Sequence, residues 1–176
     1  ALPRILAARA QAERLGLRVF LINIPLGHPG DALGSSDGNF PTTPPPRWKM
    51  ACDVDHKVFV GTSLHEPATA ENVQALTALR QAGFRQFFLD DDFRLARSPG
   101  QIGGCFCAEH RARFLRRQGY AEARWPELLA DVRDRQFSRL AREWVDFTAA
   151  ELTASFRAQS RAAGEGHLGI MVMYLG

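Results

Sequence analysis

The chain has 176 residues, 45% of them hydrophobic and 10% aromatic, with 22 basic against 19 acidic residues and a formal net charge of +3. That is the composition of one compact domain, here taken as 1–176, with a real core, and it excludes a disordered chain. No apolar stretch reaches bilayer length and no apolar secretory leader opens the chain, so a cytoplasmic protein with no membrane partner is expected.

The basic residues are mostly arginines scattered along predicted helices. The densest group, Arg111, Arg113, Arg116 and Arg117, reads as a solvated helix face, because no nucleic-acid-binding module accompanies it. The chain does not begin with methionine and ends within an apolar run at Tyr174, Leu175 and Gly176. Both features predict a piece of a longer protein.

In chain order, Ile5, Ala8, Ala12 and Leu15 recur at helical spacing over Ala1 to Leu15, and Gly16 stands where a left-handed residue would close the helix. Leu17 to Ile24, LRVFLINI, is nearly all apolar and predicts a strand buried on both faces of a parallel sheet. Residues 25 to 47 hold His28 and much of the proline, as an extended loop does. Trp48 to Val60 carries Cys52 and predicts a small hairpin or an added strand.

GTSLHEP, with His65 and Glu66, leads into a helix over about Ala70 to Ala82. Thr69 is its expected N-cap, and Val73, Leu76, Leu79 and Ala82 form its apolar face. Gly83 ends it, and Phe87, Phe88 and Leu89 predict a second buried strand. From Pro126 the apolar spacing through Leu128, Leu129, Val132, Phe137, Leu140, Trp144, Phe147 or Thr148, Leu152 and Phe156 predicts a long amphipathic helix, either continuous or broken once. Gly164 and Gly166 end it, and His167 to Tyr174 forms a third apolar strand. Three helix-to-strand units predict an α/β fold, a parallel sheet of βα units that is either doubly wound or part of a barrel.

Asp90, Asp91 and Asp92 follow directly on the second strand, at the carboxyl end where parallel α/β folds place their chemistry. Adjacent acids repel one another, which raises at least one pKa as a general acid requires, and Arg94 is the nearest partner in sequence to keep another ionised. Alternation along the strand puts Asp90 and Asp92 on one side and Asp91 on the other. His28, Trp48, His65 and Glu66 stand near the same edge as candidate substrate contacts.

Cys105, Cys107 and His110 spell C-x-C-x2-H, three soft or borderline donors within six residues, with Cys52 as a candidate fourth. Such a set suits a closed structural zinc, and a pair of buried or redox-active thiols is the alternative.

The order DDDFRL, a glycine-containing loop, CFCAEH and then Phe114 resembles the (β/α)8-barrel glycoside hydrolases, in particular zinc-carrying β-galactosidases and related glycosidase-like proteins. The likeness covers Phe84 to Phe114. It departs in placing His110 where the family has a third cysteine and three aspartates where the family has an Asn-Glu acid motif. The resemblance implies a partial TIM barrel, since a whole one takes about 250 residues. It also implies a structural zinc and hydrolysis of a carbohydrate by paired carboxylates about 5–10 Å apart.

Two other classes remain open. Asp90 and Asp92 suit a hard cation such as magnesium in a metal-dependent hydrolase. Alternatively the chain is a non-catalytic carbohydrate-binding or structural piece of a barrel, whose bare sheet edges would favour self-association into a homo-oligomer.

Overall fold

The computed structural model describes residues 2–26, 47–62, 64–90, 93–95 and 102–171. Its elements are α1 (Leu2–Arg14), β1 (Leu21–Asn23), β2 (Met50–Cys52), β3 (Val58–Thr62), α2 (Ala68–Gln81), β4 (Phe87–Leu89), α3 (Ala108–Gln118), α4 (Arg124–Arg133), α5 (Arg139–Ala163) and β5 (Leu168–Ile170). The protein is α/β. β1, β4 and β5 form a parallel sheet in that order, with Leu21, Phe87 and Leu168 in one row and Asn23, Leu89 and Ile170 in another. β2 and β3 pair antiparallel as a separate hairpin, the first of the two forms expected for Trp48 to Val60.

One face of the sheet is covered. Leu21, Phe87 and Leu168 pack with Leu76 of α2, Ala163 of α5 and Ile5 of α1. The described residues leave the other face open, and here the expectation of a strand buried on both faces fails: Ile22 is 57% exposed, and Phe20 and Leu17 are exposed with it. β1 also keeps only three residues of the eight-residue apolar run. Apolar composition alone does not distinguish a strand covered on both faces from one with an open face, because both admit β-branched and aromatic residues.

Helix α2 starts at Ala68, earlier than expected, and Thr69 is not its cap. The Thr69 hydroxyl instead meets Ser155 of α5 at 3.2 Å, and the Glu66 carboxylate accepts the free Ala70 N–H at 3.2 Å. Of the two forms its spacing allowed, the long helix takes the broken one, as α4 and α5. Ser138 caps the second half, its hydroxyl accepting the Ala141 N–H at 3.0 Å and donating to Asp131 of α4 at 2.5 Å. Phe137 sits in that break and is exposed, so it leaves the predicted apolar face.

The main core lies between α3, α4 and α5. Phe106, Phe114, Trp125, Trp144 and Phe147 stack there in edge-on and tilted pairs, together with Leu115, Leu128, Leu129, Val132 and Leu140. Trp144 connects this core to the segment that precedes the cysteines. Its indole N–H donates to the Gly103 carbonyl at 2.9 Å, and its ring lies where a Cβ on Gly104 would be. Gly104 also has φ +139, a conformation that side chains resist. Gly104→Ala should therefore cost about 2–3 kcal/mol through overpacking and strain, read as a lower urea midpoint with an unchanged slope.

Candidate metal centre

Three side chains from two distant parts of the sequence meet at the amino end of α3. Cys107 is the residue before the helix and His110 lies in its first turn, so the three-residue spacing puts both on one side. His65 arrives from the segment between β3 and α2, where Leu64 takes φ +62, a left-handed conformation costing on the order of 1 kcal/mol for a side chain of this kind.

The His65 Nε2 is 3.2 Å from Cys107 Sγ, and His110 Nδ1 is 3.4 Å from the same sulfur. The two imidazoles stack with centroids 4.2 Å apart. One donor atom from each of the three residues lies within 4.8 Å of the others, so the cluster could hold a metal ion.

The surroundings suit that use. His65 and His110 are 5% and 1% exposed, so their ring nitrogens have little water to bond. An unsatisfied buried polar group costs about 1–3 kcal/mol. His110 Nε2 has no hydrogen-bond partner among the described residues. His65 Nδ1 is 3.2 Å from Glu109 Oε1, within ion-pair range but off the line of a hydrogen bond. A carboxylate behind a histidine is the common way to fix the tautomer and orientation of a metal-binding imidazole.

Lys49 donates to Glu109 at 2.7 Å, and this contact holds the Glu109 carboxyl below the usual glutamate range against the opposing effect of burial. Because its folded pKa is depressed, Glu109 contributes its stabilisation above the ordinary value of 4.5 and loses it only as pH falls below that. Metal affinity should already fall at milder acidity, since bound histidine and cysteine must shed their protons. Glu109→Gln should weaken metal binding about 10–100-fold at neutral pH. A competition titration with a chromophoric chelator reads this directly, and an unchanged affinity would leave Glu109 as no more than a surface ion-pair partner.

The two other cysteines are close by but turned elsewhere. Cys105 is 1% exposed and packs with Leu26, Ala51 and Leu95, while Cys52 is partly buried beside it at the end of β2. The Phe106 N–H donates to the Cys52 carbonyl at 2.9 Å, which ties this segment to the hairpin. Neighbouring thiols bear on how Cys105 and Cys52 titrate. The Cys107 contact works to lower the Cys105 pKa, but its own bond to Cys52 and its burial outweigh that and push it up to about 11. The Cys105 S–H in turn lowers the pKa of Cys52. Of the four expected metal ligands, Cys107 and His110 thus stand in the three-donor cluster. Cys105 and Cys52 lie outside it in the adjoining apolar cluster, and His65, expected as a substrate contact, is the third donor.

The other expected site residues are spread around this centre. Asp90 is at the carboxyl end of β4, its N–H donating to Asn23 at 3.0 Å and its carbonyl accepting from Phe93 at 3.0 Å. Arg94 is partly buried in the following turn. Asp91, Asp92 and His28 lie outside the described residues. Trp48 is partly buried with its indole N–H on Glu71 at 2.9 Å, an acid that Arg47 also holds. Glu66 is exposed and, with His65, Glu109, Arg113 and Glu151, borders a polar cleft of about 380 Å³.

Leu95 packs with Cys105, and its carbonyl accepts the Gly104 N–H, so the chain after the acidic strand end is fastened to the cysteine segment. No helix among the described residues is long and apolar enough to cross a membrane. Comparison with protein-family models, with curated proteins and with solved structures finds no match to this chain.

Proposed function

We propose that His65, Cys107 and His110 bind a zinc ion whose role is to hold the loop after the acidic strand end. The observation that carries this reading is the convergence of the three donors within 4.8 Å, two of them buried imidazoles. Two nitrogens and a sulfur are a borderline-soft set that suits zinc and disfavours magnesium or calcium, which take oxygen. Three protein donors leave one tetrahedral position, and Cys105, two residues before Cys107 and buried, is the nearest further thiol in sequence to take it. Zinc so placed would join the β3–α2 connection to the start of α3. The loop fastened to Asp90 through Leu95 and Gly104 would be held with them.

The test is elemental analysis after exhaustive dialysis. One zinc per chain is the expected result, reduced to a trace in His65→Ala. Zinc retained in full by that variant, or none in the unaltered chain, would reject the proposal.

For chemistry, we infer a glycoside hydrolase-like protein, a piece of a (β/α)8 barrel acting on a carbohydrate. The support is Asp90 at the carboxyl end of the central parallel strand, together with the DDDFRL and CFCAEH resemblance. The bare apolar face with Phe20 and Ile22 is in keeping with a sheet that continues in a longer protein. Chromogenic glycosides assayed on the longest natural form, with Asp91→Asn and Asp92→Asn as controls, test it. Absence of turnover on every sugar, or no loss in either variant, would reject it, and activity that appears only with added magnesium would favour the metal-dependent hydrolase.

A further inference from the structure

The amino ends of the three parallel strands are tied together by two backbone bonds. The Leu21 N–H donates to the Gln86 carbonyl at 3.2 Å, and the Phe87 N–H donates to the His167 carbonyl at 2.9 Å. The sheet order β1, β4, β5 therefore sets the residues just before each strand side by side, with Arg18 before β1, Arg85 and Gln86 before β4 and His167 before β5. Arg9 of α1 completes this edge, and together these side chains line a cleft of about 530 Å³. It lies at the opposite end of the strands from Asp90 and shares no residue with the metal centre.

The charge of the cleft is one-sided. Among the described residues that line it, Glu13 is the single acid, and it is committed to Arg9, whose Nε–H it accepts at 2.7 Å. The Arg18 guanidinium donates to the neutral Gln86 amide at 3.4 Å, and that of Arg85 donates to the Arg80 carbonyl at 3.5 Å. Neither is neutralised by a carboxylate among the described residues. Arg9 is held in place, its guanidinium 4.8 Å over the Phe84 ring and against Gly83, where a Cβ would come within 3.2 Å of it. Cations gathered along one concave wall focus a positive potential there. Leu17, Val19 and Phe84 make the rest of the wall apolar.

We propose that this cleft binds a phosphorylated small molecule, its phosphate between Arg18, Arg85 and His167 and its apolar part against Leu17, Val19 and Phe84. Guanidinium forks match the paired oxygens of a phosphate and give charge-assisted hydrogen bonds, and a histidine ring N–H adds a further donor. The size favours a ligand larger than the bare ion, since small-molecule sites run about 300–1,000 Å³ and combine apolar lining with a few placed polar groups. A nucleic-acid backbone would call for a longer basic stripe and a recognisable module beside it. The site rests on neither the zinc nor the hydrolase reading, because none of their residues takes part.

The experiment titrates the full chain, as isolated, with phenyl phosphate and with inorganic phosphate at constant ionic strength, followed by calorimetry and by amide NMR. One-to-one binding of phenyl phosphate, tighter than that of phosphate, is expected, with shifts at residues 17–19, 84–86 and 167 and none at His65 or Cys107. Arg18→Gln and Arg85→Gln, both at exposed positions, should each weaken it about tenfold or more. Arg142→Gln, an exposed change on α5 outside the cleft, should leave it unaltered. Absence of phenyl phosphate binding, affinity no greater than for phosphate, an equal loss in Arg142→Gln, or shifts centred on His65 and Cys107 would overturn the proposal. So would an RNA oligonucleotide that binds through Arg18 and Arg85 where phenyl phosphate does not. The NMR map of the unaltered chain decides the matter even if a variant fails to fold.

Discussion

Cys107→Ser is expected to remove bound zinc and lower the melting temperature together. A metal held at a free concentration about a thousandfold above its dissociation constant stabilises the folded chain by about 4 kcal/mol. For a domain of this size that corresponds to roughly 8–16 °C. The sulfur is the shared neighbour of both imidazoles, so the serine variant loses the one donor that touches His65 and His110 at once. Thermal melts with and without chelator separate the metal from the packing of Cys107 against the Cys105 cluster. If the loss is that of the metal, chelator should bring the unaltered chain down to the variant and leave the variant where it is. A variant that melts far below the chelated chain would mean that the thiol stabilises by packing alone.

The second large effect is expected at Trp144. Its ring is fully buried against Phe106, Phe114, Trp125 and Phe147, and its indole N–H satisfies the Gly103 carbonyl. Trp144→Ala should cost about 3–5 kcal/mol, from lost burial and the cavity left behind, or roughly 6–20 °C in melting temperature. Trp144→Phe keeps most of the ring contact but not the hydrogen bond, and should cost clearly less. Denaturant unfolding followed by circular dichroism checks both. A small effect for the alanine variant would mean that the α3–α4–α5 core repacks and that the cysteine segment is not anchored through it.

The two predictions concern connected parts of the molecule. Trp144 fixes Gly103 and Gly104, those residues lead into Cys105 and Cys107, and Cys107 starts the helix that carries His110. A loss at Trp144 should therefore also weaken metal binding, whereas a loss of metal should leave the aromatic core intact.

Much of this architecture is legible in the residues themselves. Gly16, Gly83 and Gly164, at positive φ after α1, α2 and α5 and each followed shortly by an apolar run, mark the helix-to-strand units, because a helix end at positive φ and a strand in a sheet each restrict composition strongly. The extent of β1 is not legible, since LRVFLINI has no alternation to show that Ile22 and Phe20 lie on an open face. In the site, C-x-C-x2-H identifies Cys107 and His110 through spacing on a helix.

The same spacing does not separate Cys105 from Cys107: Cys105 precedes the helix and packs in the apolar cluster of Leu26, Ala51 and Leu95, outside the three-donor group. His65 is placed near the acidic edge by its position after a strand, and nothing local marks it as a metal donor. It lies 42 positions before Cys107, and the contact depends on how the β3–α2 connection is placed beside the start of α3. The available signal was the pairing of a histidine at a strand-to-helix connection with an unfilled Cys-His motif elsewhere in the chain.

The central claim is that two imidazoles and a thiolate hold one zinc, and X-ray absorption at the zinc edge of the dialysed chain tests it most directly. The account predicts one zinc per chain with nitrogen scatterers near 2.0–2.1 Å showing imidazole ring signatures, and sulfur at about 2.3 Å. The nitrogen contribution should fall in His65→Ala and the sulfur contribution in Cys107→Ser. A shell made only of oxygen, or a dialysed chain with no zinc to measure, would contradict it.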